Sequence, residues 1–182
     1  MFHKILVAMD TSAIGKSVFD EALALAKATG CNLMLLHVLS LEEKGSPNML
    51  VFPTLGYYPG LSSRTLEIYH EQWQKLEEYG LELLRSRTDE ATAAGVKAEF
   101  TQNTGSPGKT ICAIARNWGA DLIIMGRRGH SGLTELIMGS VSNYVLHHAP
   151  CSVLTVQNSA TTTATTGAEQ VESIAAEHHN VR

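Results

Sequence analysis

Short apolar runs alternate with stretches of helical periodicity along residues 1–156, and this alternation constrains the fold more than any other feature. Residues 5–9, 32–39 and 121–125 form apolar runs that are typical of strands buried on both faces of a parallel sheet. Between the first two runs, apolar side chains recur at helical spacing over 18–26. The pattern predicts an α/β fold, an open five-stranded parallel sheet in the order 3-2-1-4-5 with helices on both faces.

The remaining elements follow from the same periodicity and from helix start and stop signals. Strands are predicted over 96–102 and 150–156, and a long helix over 63–94, with Gly80 marking a bend. Gly30 is a C-terminal stop, and Ser106 followed by Pro107 predicts the start of another helix. In such sheets ligands bind at the carboxyl ends of the strands, where the winding reverses.

Two segments differ from the rest. The stretch 40–62 holds three of the five prolines and several apolar residues, which predicts a long loop with an apolar centre; an ordinary packed surface loop is an equally good interpretation. Residues 157–182 are threonine-rich and low in complexity, and we interpret them as a mobile tail after a single domain, 1–156.

Composition excludes several function classes. Of the 182 residues, 14 are Lys or Arg and 18 are Asp or Glu, and a net charge of −4 disfavours a general nucleic-acid binder, so we expect no nucleic-acid partner. No apolar stretch approaches the roughly 20 residues of a membrane span. The apolar run at residues 1–7 is too short for a signal peptide. The three cysteines are widely separated, which argues against a disulfide framework and a cysteine-rich zinc site. We therefore expect no membrane partner, no metal site and a cytoplasmic location.

The chemistry lies in a glycine-rich stretch that joins a buried strand to a helix. Gly126 and Gly129 are followed, after nine residues, by Gly139 and Ser140. Main-chain N–H groups in such a loop form anion-binding nests. If the helix begins near Ser140, its N–H groups and the hydroxyls of Ser140 and Ser142 face an anion. If it begins at Leu133, Gly139 lies inside it and only permits close packing.

The motif resembles the nucleotide-binding signature of the universal stress protein family. Supporting similarities are residues 4–10, which resemble the family's first strand and its aspartate, Gly105-Ser106-Pro107, 121–126 and 149–154. The resemblance covers residues 1–156, apart from the proline-rich loop, and implies the Rossmann-like fold of adenine nucleotide alpha hydrolase-like proteins. It also implies ATP or AMP as ligand, with Mg²⁺ accompanying ATP as an option, at the switch between strands one and four.

The resemblance assigns a role to individual residues of this chain. Asp10 would contact the ribose or the phosphates, and Val38 would meet the adenine through its backbone. The rest of the site would comprise Met125, Gly126, Gly129, His130, Gly139, Ser140, Val141 and Ser142, with Ala8, Thr11, Arg127 and Arg128 as secondary candidates. The resemblance further implies a homodimer that pairs through the last strand, 150–156.

Other interpretations of these residues stay open. Asp10 could serve only as the N-cap of the first helix, and loop arginines or a loop histidine are often only solvated. Gly108-Lys109-Thr110 resembles the end of a phosphate-binding P-loop, but its first glycine is missing. We predict a regulator that senses energy state through nucleotide binding. A slow ATPase and an interaction-only stress protein with a vestigial site are the alternatives.

Overall fold

The computed structural model describes residues 1–41, 46, 59–127 and 139–157. The side chains of 59–63 and 65 are not among the described features. Its elements, in chain order, are β1 (Lys4–Met9), α1 (Ala13–Thr29), β2 (Asn32–Leu39), α2 (Pro59–Ala93), β3 (Ala98–Thr104), α3 (Pro107–Trp118), β4 (Leu122–Gly126), α4 (Ser140–His148) and β5 (Ser152–Val156). Most of the proline-rich loop and the predicted tail beyond Gln157 lie outside the described residues.

All five strands form one parallel sheet in the order β3-β2-β1-β4-β5, which confirms the predicted fold class. The chain winds outward from β1 to β3, then crosses back and continues from β4 to β5 on the other side. The winding therefore reverses between β1 and β4, where Ala8 lies opposite Met125. The strand core is fully buried, and Ile5, Leu6 and Val7 all have no exposed surface.

Two apolar clusters hold the helices to the sheet, one on each face. Phe19 of α1 and Leu84 of α2 pack with Ile5 and Leu35 on one face. On the other face lie Ile111 and Ala115 of α3, Val145 of α4, and the alternate strand residues that include Leu6 and Ile123. Burying each large side chain of this kind contributes about 1.5–3 kcal/mol, so both helix layers are firmly fixed.

The predicted boundaries are confirmed for most elements and shift for a few. Helix α2 begins earlier, at Pro59, β3 begins later, at Ala98, and β5 begins at Ser152. Helix α1 ends at the left-handed Gly30 (φ 74°), and α3 has Ser106 at its N-cap with Pro107 behind it, both as predicted.

Gly80 lies inside α2 and does not interrupt it. The helix continues through Gly80 to Ala93, and the glycine instead lets α2 lie directly on the sheet. A Cβ at position 80 would lie 2.5 Å from Nδ1 of His37 and 2.7 Å from Oε1 of Gln102. The close approach of these two side chains to the backbone of α2 is the physical reason for a glycine here.

Candidate functional site

The predicted site residues come from elements that end or begin at one edge of the sheet. Ala8 pairs with Met125, so Asp10, which follows β1, and Gly126, the last residue of β4, lie at the same edge of the sheet. Val38 is the residue before the last in β2, the strand next to β1, which Asp10 follows. Parallel strands and their reversal of winding therefore bring together residues that are far apart in sequence.

Asp10 lies just past β1 and is half-buried. Its Oδ1 accepts hydrogen bonds from the main-chain N–H of Ser12 at 3.1 Å and from the Ser12 hydroxyl at 2.5 Å. The N-cap of α1 is Ser12, so the interpretation of Asp10 as N-cap is wrong, although Asp10 does stabilise the turn that leads into the helix. These bonds fix the carboxyl group at the edge of the sheet.

Gly15 holds this turn against the first turn of α1. A Cβ at Gly15 would overlap the carbonyl oxygen of Asp10 and lie 3.0 Å from its Oδ1. The sequence analysis missed this residue. The signal that could have identified it is a glycine in the first turn of a helix, five positions after the aspartate that follows β1. Glycine weakens a helix, so a glycine there indicates a packing requirement.

The start of α4 supplies main-chain donors near this edge. Gly139 is the N-cap, with extended backbone (φ −60°, ψ 152°), and the first intrahelical bond runs from Asn143 N–H to the Gly139 carbonyl at 2.9 Å. The structure thus decides between the two predicted helix starts in favour of Ser140. The N–H groups of Ser140, Val141 and Ser142 precede the hydrogen-bond ladder of the helix and carry its positive dipole end.

Ser142 joins α4 to the end of β4. Its side chain is 2% exposed, and its hydroxyl donates to the Arg127 carbonyl at 2.8 Å, with the Gly139 carbonyl at 2.9 Å. The Gly139 N–H also reaches the Arg127 carbonyl, at 3.2 Å. The hydroxyl proton of Ser142 therefore serves the chain itself, whereas Ser140 is exposed at the helix start.

Four predicted site residues, Ala8, Val38, Met125 and Val141, belong to the apolar layer on the α3 and α4 face, and we call them the apolar floor. Ala8, Val38 and Val141 are partly buried and pack, together with the buried Met125, against the cluster on the α3 and α4 face. They come from β1, β2, α4 and β4. An apolar surface of this kind accommodates the face of an aromatic base while the polar groups lie at one side.

The cationic candidates contribute little to this geometry. The Arg127 guanidinium donates to Oε1 of Gln157 at 2.6 Å, past the end of β5. Thr11 is half-buried beside Asp10. Arg128, Gly129 and His130 lie outside the described residues.

Gly108, from the segment that resembles the end of a P-loop, packs α3 on α4. A Cβ at position 108 would lie 2.7 Å from Cδ1 of Tyr144, so this glycine has a structural role in place of a P-loop role.

No described helix is long and apolar enough to cross a membrane. Within the same residues, no three His, Cys, Asp or Glu side chains lie together as metal ligands would.

Solved structures of universal stress proteins share this fold, and three of them illustrate the likeness. The universal stress protein UspA from Lactobacillus plantarum has a TM-score of 0.67 at 24% identity and covers 85% of this chain and 97% of its own. A universal stress family protein from Arabidopsis thaliana, solved with AMP bound, has a TM-score of 0.55 at 23% identity, covering 90% and 97%. A universal stress protein in complex with cAMP gives 0.55 at 23%, covering 86% and 97%.

Sequence comparison agrees with the structural likeness. A universal stress protein of Synechocystis is 36% identical over 157 residues, which span 86% of this chain and 99% of the relative. The model of the universal stress protein family matches residues 1–157. By both its sequence and its architecture, the chain belongs to the universal stress protein family.

Proposed function

We propose that this chain is a regulator that binds an adenine nucleotide, ATP or AMP, at the carboxyl edge of β1 and β4. The observation that carries the proposal is the convergence at this edge of the Asp10 carboxyl group, the main-chain N–H groups that begin α4 and the apolar floor. The AMP-bound and cAMP-bound relatives of the same fold support the choice of ligand class.

Each part of the site suits one part of the ligand. The phosphates would lie at the N-terminus of α4, because its unbonded N–H groups and positive dipole end attract anions. The ribose hydroxyls would donate to the Asp10 carboxyl group. The base would lie on the apolar floor, near the backbone of Val38. The division into a charged end and an apolar end gives the ligand a single orientation.

Regulation accounts for this arrangement better than turnover. The described part of the site presents one carboxyl group, Asp10, and it is already engaged by Ser12. Hydrolysis requires a group that activates water, such as a general base or a metal. Mg²⁺ would reach the site on the phosphates of ATP, which are common ligands of this ion.

Titration of the purified full chain with ATP and AMP tests the proposal. The expected result is saturable binding of one nucleotide per chain, with an adenine nucleotide identified by mass spectrometry in the protein as purified. Turnover under saturating ATP and Mg²⁺ should be slower than about one per minute, far below the typical range for enzymes. Absence of binding would leave the interaction-only alternative, and rapid turnover would make the protein an ATPase.

We further propose that the protein forms a homodimer through β5. This strand is the edge of the sheet beside β4, and Leu154 at its centre is 43% exposed. An exposed apolar edge strand has unpaired main-chain groups that favour pairing with another strand. Pairing with the same strand of a second copy gives a two-fold, isologous interface.

A further inference from the structure

Ser12 is not among the residues that the sequence predicts for the site, yet it holds the carboxyl group of Asp10 with two donors. Its main-chain N–H reaches Oδ1 of Asp10 at 3.1 Å, and its hydroxyl donates to the same oxygen at 2.5 Å. Two donors from one residue fix both the position and the tilt of the carboxyl group. Hydrogen bonds to a carboxylate are short, and they are stronger than those between neutral groups. The turn at Ser12 therefore carries a firmly oriented acceptor.

The first turn of α1 lies against the same oxygen. A Cβ at Gly15 would lie 3.0 Å from Oδ1, and the Gly15 N–H donates to the Ser12 carbonyl at 3.0 Å. Gly15 is buried and Ser12 is half-buried. Oδ1 thus serves the chain itself, and a ligand could reach it only by displacing Ser12. Because the two oxygens of a carboxylate diverge from one carbon atom, Oδ2 is directed away from Ser12 and Gly15.

The charges expected at this edge make such restraint necessary. Asp10 follows β1, which pairs with β4, and α4 begins near the same edge. In the proposed site the phosphates lie at the start of α4. Since like charges repel, an unrestrained carboxylate would swing away from the phosphates and from the ribose attached to them. The two donors of Ser12 hold the Asp10 carboxylate in place against this repulsion.

We propose that Ser12 is the positioning residue for recognition of the ribose, and that the Ser12–Asp10 pair makes the site selective for ribonucleotides. The inference rests on the proposed function, in which the ribose hydroxyls donate to Asp10. The 2′ and 3′ hydroxyls are two donors side by side, and each carboxylate oxygen has two lone pairs. A nucleotide whose sugar lacks both hydroxyls loses these bonds. The loss is large only while Ser12 keeps the carboxylate oriented toward the sugar.

Paired titrations with AMP and 2′,3′-dideoxy-AMP, which lacks both hydroxyls, test the assignment. The wild-type chain should bind AMP at least about tenfold more tightly, the value for one hydrogen bond to a charged group. Ser12→Ala removes the hydroxyl and keeps the main-chain donor, so the ratio of the two affinities should fall about threefold to tenfold. Ser12→Thr keeps the hydroxyl and should restore the ratio. Ser86→Ala, the same change at an exposed position of α2, should leave it unchanged.

The ratio separates positioning from a general loss of structure. A looser fold weakens the binding of both ligands alike, because they share the base and the phosphate, and the effect cancels in the ratio. Circular dichroism checks that each variant is folded. Where Ser12→Ala fails to fold, Ser12→Gly takes its place, since it also lacks the hydroxyl and glycine is well tolerated at a helix N-cap.

Asp10→Asn shows whether Ser12 acts through Asp10. The amide presents an N–H donor where the carboxylate has an acceptor, so the AMP preference should fall to nearly one. Adding Ser12→Ala to Asp10→Asn should then lower the preference no further, because residues that act through one contact are not additive. A preference that persists in Asp10→Asn and is lost only in the double variant would assign the ribose contact to Ser12 itself, which would overturn the positioning role.

The failures of the two proposals are distinguishable. If the wild type binds AMP and 2′,3′-dideoxy-AMP equally, the selectivity for ribonucleotides is wrong and the proposed function stands. If the wild type prefers AMP and Ser12→Ala keeps the full preference, the positioning role is wrong. If the wild type binds no nucleotide, both proposals fail.

Discussion

The hydroxyl of Ser142 donates to the main-chain carbonyl of Arg127 at 2.8 Å, and this bond ties the first turn of α4 to the end of β4. The two residues are 15 positions apart in the chain, so the bond is a contact between separate segments. It also aims the N-terminus of α4 at the edge where β1 ends. The phosphate end of the proposed site therefore depends on a buried hydroxyl whose proton is donated within the chain.

Ser142→Ala should weaken both the fold and the site. Removing the hydroxyl leaves a part-buried carbonyl with fewer partners, which costs about 1–3 kcal/mol of unfolding free energy. Nucleotide affinity should fall as well, because α4 is less firmly positioned. Denaturant unfolding and calorimetric titration measure the two effects. Ser140→Ala, at the exposed helix start, should change stability by less than about 0.5 kcal/mol. Equal effects of the two variants would contradict a positioning role for Ser142.

Gly139→Val should abolish nucleotide binding and leave the fold intact. The backbone of Gly139 is extended (φ −60°, ψ 152°), a conformation that valine adopts without strain, so circular dichroism should be unchanged. A branched side chain at the N-cap would fill the space in front of the first helical N–H groups. Affinity should fall more than tenfold, which is about 1.4 kcal/mol. Gly129→Val, in the segment outside the described residues, should act in the same direction. Unchanged affinity in both variants would place the site elsewhere.

Gly15→Ala should destabilise the protein by about 1–3 kcal/mol, because the added methyl group overlaps the Asp10 carbonyl and overpacking has costs of that size. The turn at Asp10 must shift to accommodate it, so nucleotide affinity should fall too. Thermal unfolding with and without AMP reports both changes. Lys16→Ala, at the next position but exposed and in a surface ion pair with Asp20, is the matched control and should be nearly neutral. A neutral Gly15→Ala would show that the close approach is not required.

How far the sequence predicts this structure depends on the range of the interaction concerned. The strand order, which makes β1 and β4 neighbours, follows from the alternation of apolar runs, the rules of parallel winding and the family resemblance. The start of α4 does not, because apolar residues continue at helical spacing on both sides of Gly139. Only the extended backbone of that residue ends the ambiguity.

The roles of Ser142 and Gly80 were equally out of reach of local patterns. The partner of the Ser142 hydroxyl is a carbonyl 15 residues away. Gly80 faces His37 and Gln102, residues of two different strands, and a helical pattern with one glycine in it is typical of a bend as much as of close packing. Contacts between distant segments decide both cases, and neither periodicity nor spacing records them.

Stability should fall as pH rises above about 9, because the fold favours the protonated thiols of the buried Cys112 and the half-buried Cys151. Burial raises the pKa of Cys112 above its ordinary value of 9.0, with Arg116 partly opposing. Burial, then Asp121 and Cys112, raise the pKa of Cys151. The unfolded chain releases these protons at lower pH than the folded chain, so raised pKa values favour unfolding in the alkaline range. Denaturant unfolding between about pH 8 and 10 measures the slope. A Cys112→Ala, Cys151→Ala double variant should flatten it, and an unchanged slope would assign the effect to other groups.

Leu154→Glu should dissociate the proposed dimer or precipitate the protein, because a charge at the centre of the β5 edge cannot be buried against its own copy. Leu66→Glu, at a position of similar exposure on α2, the helix that packs on β2 and β3, adds the same charge away from β5 and should leave the dimer intact. Ending the chain after Gln157 should also leave it intact, since the segment 158–182 carries almost no apolar face. Sedimentation across concentration measures all three variants. A wild-type chain that stays monomeric at high micromolar concentration contradicts the β5 interface, and the exposed edge at Leu154 would then need cover from the chain beyond Val156.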